Sequence, residues 1–170
     1  MLRDYVAHCV TGMRCEVPEL HHRPARALAQ IAAVCADVPA TDLTLVGSSL
    51  GGFYATVTAE RLGCRAAVIN PAVHPQRHFE RYLGPQKNLY TGEEFVLTPE
   101  HVEELRAADP PAISRPERYW LFVETGDEVL DYREAVAYYA GALQEVVRGG
   151  DHSLVSFPEY IPEIVAWANS

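Results

Sequence analysis

Apolar positions recur with two different periods along this chain. Leu2, Tyr5, Val6, Cys9 and Val10 fall three and four apart, the spacing of one helical face, and Gly12 beyond them suits a C-terminal cap. "MRCEVPEL" then reads as a short strand. Helical spacing returns through Leu28, Ile31, Ala32 and Cys35, with Pro24 suited to a first turn. Leu43 to Val46 is a continuous apolar strand, "LGGFYATVTAERL" a helix stopped by Gly63, and "RAAVIN" a strand ended by Asn70-Pro71. "RYWLFVET" and "QEVVR" supply two more strands, with the helix "DYREAVAYYAGAL" between them. In that helix Asp131 and Glu134 fit a capping box, and Val136, Tyr139, Ala140 and Leu143 form the apolar stripe. A last helix is expected to follow Pro162. Helices between buried strands predict an α/β fold, a mainly parallel sheet covered on both faces, with sites beyond the carboxyl ends of the strands.

The stretch from His74 to Arg118 breaks this rhythm. It is too long for an ordinary connection and rich in Pro, Gly and aromatic residues, so it is expected over a strand end as a cap-like insertion at about 74–118, with a short helix begun at Thr98.

Composition narrows the class. With 170 residues, 48% of them hydrophobic, residues 1–170 read as a single domain with one core. A net charge of -9 without a Lys/Arg cluster argues against nucleic acid as a partner. No apolar run approaches the roughly 20 residues of a membrane span, and the N-terminus lacks the basic and apolar regions of an export signal. Cys9, Cys15, Cys35 and Cys64 form no CxxC pair, which predicts buried free thiols and a cytoplasmic location.

Candidate chemistry begins at Gly47-Ser48-Ser49-Leu50-Gly51, where the apolar strand meets the helix. A strand, a Gly-x-Ser-x-Gly turn and a helix make a nucleophile elbow, so sharp that side chains at Gly47 and Gly51 are expected to collide with neighbouring elements. That geometry puts Ser49 at the apex and the Leu50 N–H where it can donate to an oxyanion. Serine needs a base, and the base needs an orienting acid. Asp127, in "GDEVLDY", and His152, in "GGDHSL", each fall just past a predicted strand end, and the chain order Ser49, Asp127, His152 is that of the α/β-hydrolase arrangement. Asp131 is the rival acid but reads as a helix cap, and Asp151 as a turn residue. His21 and His22 near Cys15 and Glu19, or His74 with His78, have no recognised metal spacing, so no metal is expected. His8 and His101 sit on predicted helices, and Tyr132, Tyr138 and Tyr139 read as core and helix surface.

At "VGSSLGGFYAT", "VINPAVHP", "RYLG", "NLYTGEEFVL", "TGDEVLDYREAVAYYA" and "GGDHSLVSF" the chain resembles the YqiA/YcfP-type esterases of the α/β-hydrolase superfamily, from about Leu2 to the C-terminus. The resemblance implies a small cofactor-free cytoplasmic hydrolase of acyl esters or thioesters, with Ser49 as nucleophile, Asp127 as acid and His152 as base. Phe79, Tyr82 and Tyr90 are candidates to line its acyl pocket. It also implies a strand and an "HGF"-type turn before the first helix, which this chain lacks. In α/β-hydrolases that turn supplies the second oxyanion N–H, and its strand lies between the "RCEVPEL" strand and the nucleophile strand. The expectation is a truncated version of an active enzyme, with residues missing upstream of Met1, over a shortened and impaired relative. The alternatives are acyl transfer to an alcohol or amine, or a degenerate hydrolase that binds a ligand or partner. Oligomeric state is not legible.

Overall fold

In a computed structural model, residues 1–87 and 92–170 of the chain are described. Among these residues, six strands and seven α-helices follow one another as α1 (Leu2–Cys9), α2 (Pro24–Cys35), β1 (Thr44–Ser48), α3 (Leu50–Leu62), β2 (Arg65–Ile69), α4 (Gln76–Phe79), β3 (Gly84–Lys87), β4 (Glu94–Leu97), α5 (Pro99–Ala108), β5 (Tyr119–Glu124), α6 (Tyr132–Tyr138), β6 (Leu143–Val147) and α7 (Phe157–Ala168). Strands β1, β2, β5 and β6 pair in that order, all parallel. Their alternation sorts side chains to two faces. Ala66, Val68, Tyr119, Leu121 and Val123 meet Ala55 and Ala59 of α3 and Ala135 and Tyr139 at the end of α6. Ala67, Ile69, Trp120 and Phe122 meet Leu154 and Ile164 on the face covered by α7.

Helix α3 carries no single stripe because both sides are occupied. Phe53, Tyr54 and Val57 pack with Ala27 and Leu28 of α2 and Leu105 of α5, while Ala55 and Ala59 face the sheet. Gly63 ends it in the left-handed conformation, at φ 76°. Within this buried layer the Thr56 hydroxyl meets the Gly52 carbonyl at 2.9 Å and the Tyr139 hydroxyl at 2.6 Å, so neither polar group is stranded.

Several local expectations are corrected. "MRCEVPEL" forms no strand: it is irregular between α1 and α2, Val17 is exposed, and no neighbouring strand among the described residues offers it a ladder. Helix α1 buries Val6 alone and leaves Cys9 exposed; Gly12 has φ 82° but lies past the extended cap at Val10. Helix α6 stops at Tyr138, since Gly141 at φ 90° turns the chain, and Leu143 opens β6 instead of extending the stripe. Helix α7 begins at Phe157 and contains Pro162, forgoing one intrahelical bond there. The 74–118 stretch contains an antiparallel hairpin, β3 with β4, that periodicity did not reveal, followed by α5 with Thr98 as its N-cap. Among the described residues, no helix is long and apolar enough to cross a membrane.

Candidate active site

Strand β1 delivers the chain to Ser49 in a conformation that L-residues rarely adopt, φ 53° and ψ -122°. The turn is held on both sides. The Ser49 N–H donates to the Ile69 carbonyl at 2.9 Å, and the Ser49 carbonyl accepts from the N–H groups of Gly52 at 3.0 Å and Ala72 at 3.0 Å. A Cβ on Gly47 would stand 2.2 Å from the Gly51 carbonyl oxygen, so the first flanking glycine is sterically required. The second is not: a Cβ on Gly51 meets nothing within 4 Å, and the other close approach is at Gly52, whose Cβ would lie 2.8 Å from Pro71 Cβ. This corrects the collision expected at Gly51.

The three candidate catalytic side chains come together at the carboxyl edge of the sheet. His152 Nε2 lies 2.9 Å from Ser49 Oγ, and His152 Nδ1 lies 2.8 and 3.0 Å from the two Asp127 carboxylate oxygens. An ionised carboxylate can only accept, so Nδ1 carries the proton and donates it to Asp127, leaving Nε2 to accept from the Ser49 hydroxyl. Asp127 is held in turn, because Oδ1 accepts from the Val129 N–H at 2.8 Å and the Leu130 N–H at 2.9 Å. Its side chain is only 2% exposed against 21% for His152, so the carboxylate is sheltered and the imidazole reaches solvent. Leu50 is the first residue of α3, where a backbone N–H finds no partner within the helix and the helix dipole is positive.

A cavity of about 270 Å³ opens on Ser49 and Leu50. Phe79 and Tyr82 line it, their rings edge to face with centroids 6.2 Å apart, and Phe95, Leu97 and Leu130 complete an apolar wall on which His78 and Arg81 are the basic groups. Tyr90, the third pocket candidate, lies outside the described residues.

The rival residues are placed elsewhere. Asp131 caps α6, its carboxylate accepting from the Arg133 N–H at 3.0 Å, and Asp151 Oδ1 closes a turn on the Ser153 N–H at 2.8 Å. His22 stacks on Phe95, with ring centroids 4.7 Å apart, and next to His21, while His74 Nδ1 pairs with Asp109 at 2.6 Å. His8 is exposed on α1, and His101 is buried on α5 with its Nδ1 2.9 Å from the Thr98 hydroxyl. Tyr132 flanks the core, Tyr138 donates to the Pro110 carbonyl, and Tyr139 is fully buried. Among the described residues no group of three or more His, Cys, Asp or Glu side chains is arranged to hold a metal ion. All four cysteines are free; Cys64 is buried, and burial first, then the nearby Cys35, pushes its thiol up to about 11.

Residues that sequence reasoning missed surround His152. Glu124, Asn70 and Glu128 all bond to the backbone of its loop. Their partners lie 24 to 82 positions away in the chain, so no local pattern could have found them.

Comparison with known proteins places the fold. The model of an uncharacterised protein family, UPF0227, matches residues 1–169. Among solved structures, the chain is similar to alpha/beta hydrolase domain-containing protein 10 from mouse, at 17% identity and TM-score 0.61, over 86% of this chain and 69% of that one. It is likewise similar to an esterase domain from a Rhodothermus marinus protein, at 21% identity and TM-score 0.57, over 85% of this chain and 66% of that one. A Paleococcus ferrophilus monoacylglycerol lipase matches at 15% identity and TM-score 0.57, over 88% and 76%. The fold is that of the α/β hydrolases, and the chain spans about two thirds to three quarters of the length of these structures.

Proposed function

The chain belongs to the UPF0227 family, and from that premise we propose that it is a cytoplasmic serine hydrolase that cleaves small acyl esters or thioesters through an acyl-enzyme intermediate. One observation carries the reading: an unbroken hydrogen-bonded line from Asp127 through His152 to Ser49, at the end of an apolar cavity. Four unpaired cysteines fit a reducing compartment.

The proposed steps use the groups that these hydrogen bonds bring together. His152 Nε2 takes the Ser49 proton as Oγ bonds to the acyl carbon, and the resulting oxyanion accepts from the Leu50 N–H. Asp127 holds the imidazole in the useful tautomer and stabilises its protonated form. The imidazolium then gives its proton to the departing alkoxide or thiolate as the bond to the acyl carbon breaks. Water, deprotonated by the same nitrogen, attacks the acyl-enzyme and releases the acid, restoring Ser49.

The test is intact-protein mass after treatment with a fluorophosphonate, together with acid release from short acyl esters and acyl thioesters. A single adduct mapped to Ser49 with acid release is expected; a folded chain that gives neither overturns the proposal. The acid is tested by a pair of variants. Asp127→Asn should lower kcat by about 10⁴-fold, since the amide favours the wrong histidine tautomer. Asp131→Ala should leave kcat unchanged and cost about 1 kcal/mol of stability, the usual worth of a helix cap. An Asp127→Asn variant that retains nearly full activity would reassign the acid to Asp131. In the pocket, Phe79→Ala should raise KM for a medium-chain ester about tenfold with kcat little changed, because the contact is made equally to substrate and transition state. A change in kcat alone would remove Phe79 from the acyl site.

A further inference from the structure

A second buried carboxylate lies beside the triad, and the steps above do not use it. Glu124, the last residue of β5, is 1% exposed, yet it accepts four hydrogen bonds, all from the segment that carries His152. Oε2 accepts from the N–H groups of Asp151 at 2.8 Å and Val155 at 3.2 Å; Oε1 accepts from the Ser156 N–H at 3.2 Å and the Ser156 hydroxyl at 2.8 Å. Burial works against the charge, but these donors outweigh it and hold the carboxyl below its ordinary value.

Asn70 completes the hold from the end of β2. Its amide donates to the carbonyls of Asp151 at 3.1 Å and His152 at 3.0 Å, and its Oδ1 accepts the Glu124 N–H at 3.1 Å. On the other side of the same peptide unit, Glu128 Oε2 accepts the His152 N–H at 3.0 Å. Gly150, at φ 71°, lets the loop come so near that a Cβ there would stand 1.9 Å from Glu124 Oε2. Glu124 also reaches the acid: its carbonyl accepts the Asp127 N–H at 3.2 Å. One residue therefore fixes the turn bearing Asp127 through its backbone and the loop bearing His152 through its side chain.

We propose that Glu124, seconded by Asn70, is the positioning residue that holds the His152 imidazole within reach of both Asp127 and Ser49. The inference rests on the triad proposed above, but its readout need not be turnover. Glu124→Gln keeps the shape while removing the charge and setting an amide NH₂ against N–H donors. The expected result is a fall in kcat of about 10 to 100-fold with KM within about twofold, the scale of a misplaced catalytic group. The low-field proton resonance of the His152 Nδ1–H, hydrogen-bonded to Asp127, should be lost at a temperature where far-UV circular dichroism shows an intact fold. A variant with wild-type kcat and an unchanged resonance would overturn the proposal. Ser156→Ala removes one of the four bonds and serves should Glu124→Gln fail to fold. It should lower kcat severalfold and speed solvent exchange of that resonance, and an unchanged rate and exchange would count equally against Glu124. If the wild-type chain shows no Ser49 adduct, the hydrolase reading falls by itself, while the resonance still reports whether Glu124 sets the Asp127–His152 pair.

Discussion

Ser49→Ala is expected to abolish the fluorophosphonate adduct and lower kcat for an acyl ester by about 10⁴ to 10⁶-fold, equivalent to roughly 5.5–8 kcal/mol of transition-state stabilisation. The magnitude follows from the loss of the atom proposed to bond to the acyl carbon. Without Oγ, His152 Nε2 has no proton to take, Asp127 orients a base with no task, and only the Leu50 N–H and the cavity remain to favour reaction with water. Stability should change by no more than about 1 kcal/mol, because alanine meets the same strained backbone and the lost hydrogen bond is only part-buried. Ser48→Ala is the matched control, since that side chain is exposed one position before the apex. Turnover retained in Ser49→Ala, or lost equally in Ser48→Ala, would remove Ser49 as the nucleophile.

The part of this site that was legible in the sequence is the part made by local chemistry. The elbow is written in consecutive residues; Thr98 and Gly63 mark helix ends through their own backbone and side-chain properties; the β5 run "YWLFVE" is apolar enough to be a buried strand in any α/β context. What stayed hidden depends on partners far along the chain. "MRCEVPEL" has the composition of a strand, but a strand exists only where a neighbour offers a ladder, and none among the described residues does. The segments "GPQK" and "EFVL" pair with each other although neither shows strand periodicity alone, and their register is a property of the pair. Glu124 looked like the end of a strand; that its carboxylate anchors the histidine loop follows from β5 and β6 lying side by side, which brings residues 124 and 150–156 together.

Gly47→Ala and Gly51→Ala should differ sharply, although the two glycines flank Ser49 in the same motif. At Gly47 a methyl group would stand 2.2 Å from the Gly51 carbonyl oxygen, 2.5 Å from its carbon and 2.8 Å from the Gly52 nitrogen, all backbone of the first turn of α3. That turn cannot yield without moving the Ser49 apex, because Ser49 is tied to Ile69 on one side and to Gly52 and Ala72 on the other. The expected cost is about 3 kcal/mol, the upper end for overpacking. For a chain of this size that lowers Tm by about 6–12 °C, and any folded fraction should show severely slowed fluorophosphonate labelling. At Gly51 a Cβ meets nothing within 4 Å, and the residue already sits in a helical turn. Alanine there should retain labelling and raise stability by up to about 1 kcal/mol, the difference in helix propensity. Thermal melts and labelling rates on the two variants decide the matter, and similar losses in both would show that the motif needs its second glycine for a reason other than space around Cβ. A sharp contrast would locate the requirement in the Gly47 approach to the α3 backbone, the contact that lets β1 turn into α3 with Ser49 raised toward His152.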